Sequence, residues 1–252
     1  EGLRVCLLEK AAQVGGTTAW SGGMVWIPFS KSAQNEPWFK DTATDVETYL
    51  ERVVAGSSED PKMARFLEVA PKALDYLERR TFVKFRPLSE YPDYYQDLAG
   101  SSVSGRVLEP EPFSAFQLGD GLRRLRLPLP EFSLFSDMMI AREDLPHFRN
   151  VFRSVRSFGR IAKLLTLYAY QKVRRQRGTA LVLGNALAAR LYASVLKAGV
   201  TVRVGKRVEG LRQDSQGRVD GVQLSGGATI FAKHGVVLAT GGFTNNLSMR
   251  KT

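Results

Sequence analysis

The sequence predicts an α/β fold, and three of its features predict that class. Short apolar runs at residues 3–8 and 235–239 have the length and continuity of strands buried in a parallel sheet. Between them, residues 31–80 and 144–197 repeat apolar side chains at helical spacing. Residues 200–232 instead alternate short strand-like runs with turns, which predicts a small antiparallel β-meander. Strands and helices in this order are typical of an α/β domain.

Helix boundaries in the central part follow from spacing and from residues suited to helix ends. Apolar residues recur at helical spacing over 45–53, and Pro61 suits the first turn of the next helix. Residues 144–175 predict a helix with a break near Gly159, and residues 186–197 predict a further helix.

The segment 86–137 and the β-meander are defined by their turn-forming residues. Six prolines break any long helix within 86–137, so we predict irregular structure with short strands there. A long ordered loop in a compact domain is usually functional. In the meander, a turn at Gln216 and Gly217 would join strands at 208–212 and 219–224, with a strand at 229–232 pairing beside them.

The composition is that of an ordinary globular protein with an excess of positive charge. Of the 252 residues, 44% are hydrophobic and 24% charged, and no apolar run reaches the roughly 18 residues that cross a bilayer. The net charge of +11 attracts anions such as a dinucleotide pyrophosphate, nucleic acid or an acidic membrane surface. Cys6 is the only cysteine, which excludes an internal disulfide, and we expect it to be a small buried hydrophobe. No metal site is expected, because His147 and His234 have no partner at ligand spacing.

Basic residues crowd the stretch 142–177, where an ordinary solvated helical face is the first interpretation. The apolar run 164–170, followed by basic residues, would also suit a helix at a membrane surface, so peripheral membrane contact stays open. Nucleic acid is not expected as a partner, because no recognised binding motif is present and the aromatic residues do not interleave with the basic ones. The strand-like start and the single cysteine favour a cytoplasmic protein.

Three short motifs could hold a nucleotide. An acid at the end of the second strand of a dinucleotide-binding unit accepts hydrogen bonds from the ribose, and Glu9 ends the apolar run 3–8. The glycines and hydroxyls of residues 15–23 let main-chain N–H groups approach an anion. Residues 240–243 follow an apolar run, and ligands of open α/β sheets lie beyond the carboxyl ends of strands. Taken singly, each motif also fits an ordinary strand or turn.

The order of these motifs resembles that of the fumarate reductase and succinate dehydrogenase flavoprotein superfamily. The matching segments are 9–10, 15–19, 21–23, 178–181, 217–222 and 239–243. Segments 20–28 and 91–95, with Gly105-Arg106 and Glu109-Pro110 downstream, look most like the 3-ketosteroid dehydrogenase branch. The resemblance implies an FAD-dependent oxidoreductase whose α/β fold is a Rossmann-like FAD-binding domain with a large, mostly helical insertion and a small β-meander.

The same resemblance implies one incomplete domain, with Rossmann-like parts at 1–30 and 178–252 and the insertion at 31–177. The first phosphate-binding loop of the family would precede residue 1 and its catalytic cap would follow the chain. We therefore expect a chain truncated at both ends and inactive by itself. FAD should be bound noncovalently, because neither histidine lies near the glycine-rich segment. The resemblance assigns cofactor contacts to Glu9, Lys10, Gly16, Thr17, Thr18, Ser21, Gly22, Gly23, Val208, Thr240, Gly241 and Gly242.

The activity implied by the resemblance is the introduction of a C=C bond next to a carbonyl. In that family a tyrosinate removes a proton while the flavin accepts a hydride, and a second tyrosine polarises the ketone. One of the family's tyrosines falls in the segment matching 91–95, and Tyr94 is the residue chosen for it. An aromatic cluster packing a proline-rich loop would explain Tyr94 equally well. The expected partners are an apolar, steroid-like ketone and an external electron acceptor. The alternatives are a fumarate-type reduction of an activated alkene, and a noncatalytic basic module that binds nucleic acid or a membrane surface.

Overall fold

The chain folds into two compact units. A computed structural model describes residues 2–54, 61–175, 177–243 and 246–251. The first unit combines Glu1–Ala12 with Val202–Thr252, and the second is the continuous segment Gln13–Thr201.

The described α-helices all belong to the second unit. They are α1 Lys31–Gln34, α2 Ala43–Val53, α3 Pro61–Arg80, α4 Leu145–Arg149, α5 Val155–Arg175 and α6 Leu183–Lys197. Thr42 caps α2, because its Oγ1 accepts a hydrogen bond from Asp45 N at 3.1 Å. The predicted start of a helix at Pro61 is confirmed by α3, and the helix predicted over 186–197 is α6 with one further turn at its start.

The strands of the described residues are short and form five small sheets. They are β1 Cys6–Leu8, β2 Val25–Trp26, β3 Phe85–Pro87, β4 Val107–Pro110, β5 Phe113–Ser114, β6 Ser133–Leu134, β7 Met138–Met139, β8 Ala180–Leu181, β9 Thr201–Arg203, β10 Val208–Gln213, β11 Val219–Leu224 and β12 Thr229–Phe231. In the second unit, β4 lies between β2 and β3. Strand β5 pairs with β8, and β6 pairs with β7. In the first unit, β1 pairs with β9, and β11 lies between β10 and β12.

The core of the second unit includes a cluster contributed by α3 and the β2–β4–β3 sheet. Leu74, Val83, Phe85 and Leu108 form this buried cluster, and Leu108 is 0% exposed. Helix α6 is also largely buried, and it packs against the short 3-10 turn Thr18–Trp20 of the glycine-rich segment. The small side chains of α6 allow this close approach, and they place its first turn beside the candidate site.

The β-meander of the first unit forms as its turn residues predict. Gly217 has φ +79°, a left-handed conformation that glycine adopts without strain. Asp214 Oδ1 accepts hydrogen bonds from the N–H groups of Gln216 and Arg218 at 2.8 and 3.0 Å. Strands β10, β11 and β12 pair antiparallel around this turn. The predicted meander is therefore confirmed.

Two apolar runs predicted to be buried strands are exposed instead. Strand β1 begins only at Cys6, which is itself exposed, and Leu3 is 58% exposed. Residues 235–239 form no strand, and Val237 is 91% exposed. A strand is buried when helices cover its faces and neighbours pair with its edges. Within the described part of the first unit, β1 pairs only with β9 and no helix is present, so the predictions of buried strands and of a buried Cys6 are wrong.

The break in the basic helical stretch lies earlier than predicted. Residues 150–154 separate α4 from α5, whereas Gly159 lies inside α5. Asn150 ends α4, because its backbone N–H and its side-chain amide both donate to Pro146 O, at 3.1 and 2.9 Å. A helical glycine costs only about 1 kcal/mol relative to alanine, so Gly159 does not interrupt α5.

We expect Leu108→Ala to lower the free energy of unfolding by about 2–5 kcal/mol, because it opens a cavity in the buried cluster. Urea unfolding of the purified protein measures this change. Leu127→Ala removes the same atoms from a side chain that is 43% exposed, and should cost under about 1 kcal/mol. Equal losses in the two variants would contradict the assignment of the core.

Candidate functional site

The glycine-rich segment 15–23 presents backbone donors that have no partner among the described residues. Gly15 and Gly16 have φ +119° and +52°. Among the described residues, the N–H groups of Gly15, Gly16 and Thr17 donate to no other group, and neither do the hydroxyls of Thr17 and Thr18. Consecutive free N–H groups around a left-handed residue form a binding site for anions. This geometry fits the pyrophosphate role expected for Gly16, Thr17 and Thr18.

The second half of the segment is locked against the start of α6. Ser21 Oγ donates to Thr18 O at 2.9 Å and accepts from Gly23 N at 3.0 Å. Ser21 O accepts from Gly184 N at 3.0 Å. A Cβ atom on Gly23 would lie 2.7 Å from Gly184 Cα and N, so this approach needs glycine on both sides. Ser21, Gly22 and Gly23 are thereby held in one conformation beside a helix start.

Two residues that the sequence did not single out complete this junction. Leu183, the first residue of α6, has φ +53°, a strained conformation for a branched side chain. Buried Asn185 donates through Nδ2 to Ala19 O at 3.3 Å and to Arg126 O at 2.9 Å. Its Oδ1 is buried and has no partner among the described residues. An asparagine within an alanine-rich helix is the one sequence signal that could have indicated this role.

The remaining cofactor residues expected from the sequence lie in the first unit. Glu9 Oε1 accepts a hydrogen bond from Ala11 N at 2.8 Å, which leaves its second carboxylate oxygen without a partner in the described residues. Lys10 is exposed, and Val208 opens β10 opposite Leu224. Residues 240–242 are exposed, and a Cβ on Gly241 or Gly242 would meet nothing within 4 Å. These groups are open to a ligand. It stays a prediction that these residues and the glycine-rich segment contact the same nucleotide.

Tyr94 lies at the tip of a loop that extends the β3–β4 pair. Tyr91 N donates to Val103 O at 3.1 Å and Asp93 N donates to Ser102 O at 2.9 Å, so the two arms of the loop are paired up to this point. Tyr94 itself is 93% exposed, and its hydroxyl has no partner among the described residues. Its ring therefore does not pack the loop, which leaves the phenol free to meet another molecule.

A buried ion cluster centred on Arg106 holds this loop. Arg106 is 1% exposed, and its guanidinium donates twice to Asp41, at 2.8 and 2.7 Å, and once to Asp93, at 2.7 Å. A fourth hydrogen bond goes to Gly100 O at 2.8 Å, and the guanidinium lies 5.5 Å from the centre of the Tyr49 ring. Burial by itself lowers the pKa of Arg106, but the hydrogen bonds to the two aspartates and their negative charges outweigh burial and raise the pKa.

Asp93 connects this cluster to the strand that follows the glycine-rich segment. Its Oδ1 accepts from Trp26 Nε1 at 2.7 Å, and its Oδ2 accepts from Ser102 N at 3.0 Å. Trp26 lies on β2, three residues beyond Gly23, whereas Tyr94 directly follows Asp93. One carboxylate thus fixes the loop of the candidate catalytic tyrosine to the strand that leaves the candidate cofactor loop.

Comparisons with known proteins identify relatives of the whole chain. A family model described as an FAD binding domain matches residues 1–252. The chain is 34% identical over 253 residues to a 4-oxocyclohex-2-ene-1-carboxylate 5-dehydrogenase of Sinomonas cyclohexanicum, covering 100% of this chain and 42% of the relative. It is 32% identical over 259 residues to a 3-oxosteroid 1-dehydrogenase of Comamonas testosteroni, covering 99% and 44% of the two chains.

A solved structure is similar over the same extent. The crystal structure of 3-ketosteroid delta1-dehydrogenase from Sterolibacterium denitrificans, in complex with 1,4-androstadiene-3,17-dione, superposes with a TM-score of 0.81 at 30% identity. The match covers 99% of this chain and 45% of the other. The chain thus spans less than half the length of the proteins that it matches.

Gly23→Ala should destabilise the protein by about 2–4 kcal/mol, because it adds a left-handed alanine and forces the added Cβ against Gly184. FAD binding should weaken together with the stability. The absorbance of flavin that copurifies with the protein measures this binding. Gly210→Ala is the matched control, because its Cβ would lie 3.7 Å from the nearest atom and no cofactor contact is assigned to this residue. Full flavin binding by Gly23→Ala would show that the locked loop is not part of the site.

Arg106→Met should cost about 3–5 kcal/mol of unfolding free energy, because Asp41 and Asp93 would remain buried without a cation. Urea unfolding measures this loss. Adding Asp41→Asn and Asp93→Asn to the variant should recover part of it. Arg65→Met, which breaks an exposed pair with Glu68, should change stability by at most about 0.5 kcal/mol. If Arg106→Met lost no more stability than Arg65→Met, the ion cluster would not be a stabilising element.

Proposed function

The chain belongs to the FAD binding domain family, and we propose that it forms the FAD-binding part of a dehydrogenase that introduces a C=C bond next to a ring ketone. The predictions of an FAD-binding domain and of FAD as the cofactor are confirmed by that membership. One observation carries the proposed activity: the whole chain aligns, at 30–34% identity, with proteins named as dehydrogenases of cyclic ketones. None of these three relatives is a reductase of the fumarate type.

Described residues in each unit support the proposed contacts with a noncovalent FAD. The free N–H groups of residues 15–17 and the threonine hydroxyls suit the pyrophosphate, and Ser21, Gly22 and Gly23 would lie near the isoalloxazine ring. In the first unit, the unpartnered carboxylate oxygen of Glu9 suits the ribose hydroxyls. The exposed glycines at 241 and 242 would let the backbone approach a dinucleotide closely.

In the proposed reaction, FAD bound at this site would be the oxidant that accepts a hydride. Tyr94 would accept the proton from the carbon next to the ketone, so that the substrate loses both hydrogens and gains a double bond. A C–H bond beside a carbonyl becomes acidic when negative charge on the oxygen is stabilised, and a positioned phenolate can remove that proton. The Arg106 cluster holds Asp93, and therefore the backbone beside Tyr94, in place.

The proposed substrate is an apolar cyclic ketone, with a 3-ketosteroid as the first choice. Steroid dehydrogenases recur among the relatives, and the similar solved structure contains a steroid. The relative that acts on 4-oxocyclohex-2-ene-1-carboxylate favours a smaller keto acid as the second candidate. An external electron acceptor completes the proposed cycle, and peripheral contact with a membrane, rather than with nucleic acid, would suit an apolar substrate.

Tyr94→Phe in the complete, FAD-loaded protein should lower kcat by about 10²–10⁴-fold while the flavin content stays constant, because the proton acceptor is lost. Steady-state assays with a 3-ketosteroid and with 4-oxocyclohexanecarboxylate, each with an artificial electron acceptor, measure this effect and rank the substrates. Tyr95→Phe is the matched control and should retain kcat within about tenfold, because the backbone, not the phenol, of Tyr95 contacts Tyr49. Unchanged turnover by Tyr94→Phe would show that another residue acts as the base.

A further inference from the structure

The outward face of α5 is an uncharged stripe along the whole helix. Ser157, Ile161 and Gln171 are buried and mark the inward face. At 100° per residue, an arc of about 140° on the outward side of the helix contains no charged side chain. This outer stripe consists of Val155, Phe158, Gly159, Ala162, Leu165, Thr166, Ala169, Tyr170 and Val173.

The outer stripe is open in the described structure and strongly apolar at both ends. Val155 and Val173 are 90% and 86% exposed, and Phe152, in the turn before the helix, is 95% exposed. Phe158 and Tyr170 are also more than half exposed. Single exposed apolar residues are common on protein surfaces, whereas a continuous row of them marks a binding surface.

The charges around the stripe are all of one sign. Residues 145–178 contain nine lysines and arginines and no aspartate or glutamate. Arg160 and Lys172 form ion pairs with Asp144 and Asp137. Within the described residues, Arg156, Lys163 and Arg174 have no carboxylate partner, and helical geometry places all three along one edge of the stripe. A partner for this surface must therefore be apolar in its centre and negative at its border.

We infer that the outer stripe docks on the surface of an anionic lipid bilayer, with α5 lying in the plane of the interface. The opposite face of the helix is packed on its own unit, so α5 can submerge its outward side chains without crossing the membrane. At 1.5 Å per residue the 21-residue helix gives a contact roughly 30 Å long. Phe152, Val155 and Val173 would enter the acyl boundary while the basic edge meets lipid phosphates.

A protein docked on a membrane could take an apolar substrate from the lipid. This connection to the substrate rests on the proposed function, whereas the docking itself does not. Membrane binding itself is a property of α5 and can be measured without turnover. Its failure would leave the FAD site and the dehydrogenase proposal untouched, and loss of activity in Tyr94→Phe would leave membrane binding untouched.

The test is cosedimentation of the complete purified protein with vesicles of phosphatidylcholine containing phosphatidylglycerol. Binding should be weaker on pure phosphatidylcholine and should decline between about 0.05 and about 0.5 M salt, because the basic edge is screened. Val155→Ser together with Val173→Ser should weaken binding about tenfold or more. Replacing Arg156, Lys163 and Arg174 by glutamine should weaken binding by about fivefold for each charge removed.

Matched controls remove positive charges or an apolar side chain from other surfaces of the protein. Arg52→Gln, Lys72→Gln and Arg123→Gln together also remove three exposed positive charges and should keep most of the binding. Tyr76→Ser removes an apolar side chain that is 56% exposed on α3 and should have no effect. Turnover of a water-soluble ketone without vesicles should be the same in all of these variants.

Three results would overturn the inference. The first is no binding to anionic vesicles, and the second is equal binding by the stripe variants and the controls. The third is a dimer in sedimentation analysis that the serine variants convert to a monomer, because the stripe would then face a second copy of the protein.

Discussion

A contact between two backbones sets the geometry of the candidate cofactor site. Gly23 and Gly184 approach so closely that a Cβ on Gly23 would lie 2.7 Å from the first turn of α6. The same junction is tied by the hydrogen bond from Gly184 N to Ser21 O. Because α6 is itself buried in the second unit, the glycine-rich segment inherits the rigidity of the core. Leu183 bears the strain of this arrangement, roughly 1–2 kcal/mol for its left-handed backbone, which the burial of α6 offsets.

The Arg106 cluster fixes the loop of Tyr94 in a similar way. Asp41, Asp93 and Arg106 each have side chains at most 3% exposed, so their desolvation is costly and only the full set of hydrogen bonds compensates for it. The directions of these hydrogen bonds fix the arrangement of the three side chains. The cluster joins Asp41, ahead of α2, to the loop of Tyr94 and, through Trp26, to β2. Such a cluster suits a residue that must meet a substrate in a defined position.

Local sequence signals predicted those parts of the fold whose causes are local. The turn at Gly217 needs only Asp214 and a residue that tolerates positive φ, and both are visible in the sequence. The glycines at 15 and 16 indicate an anion site by their residue type and spacing, and anion binding there stays a prediction. Residues 235–239 have the composition of a buried strand, yet burial depends on neighbours that composition does not reveal. The positive φ of Leu183 was equally invisible, because leucine rarely adopts it and only the packing of α6 imposes it.

Helix α5 shows why periodicity alone does not identify a binding surface. Apolar residues recur on its inward face and again on its outward face, so the pattern predicts a helix without saying which side the protein uses. Helix α3 gives the comparison: there Glu68 pairs with Lys72, and Asp75 pairs with Arg79, as on an ordinary solvated face. Helix α5 itself contains no acidic residue, and its basic residues lie outside the outer stripe instead of interrupting it. Exposure to water explains neither the single sign of these charges nor the apolar stripe. A solvated helix face can carry charges of both signs, and a row of exposed apolar side chains is unfavourable in water. An interface that is apolar within and negative at its rim accounts for both.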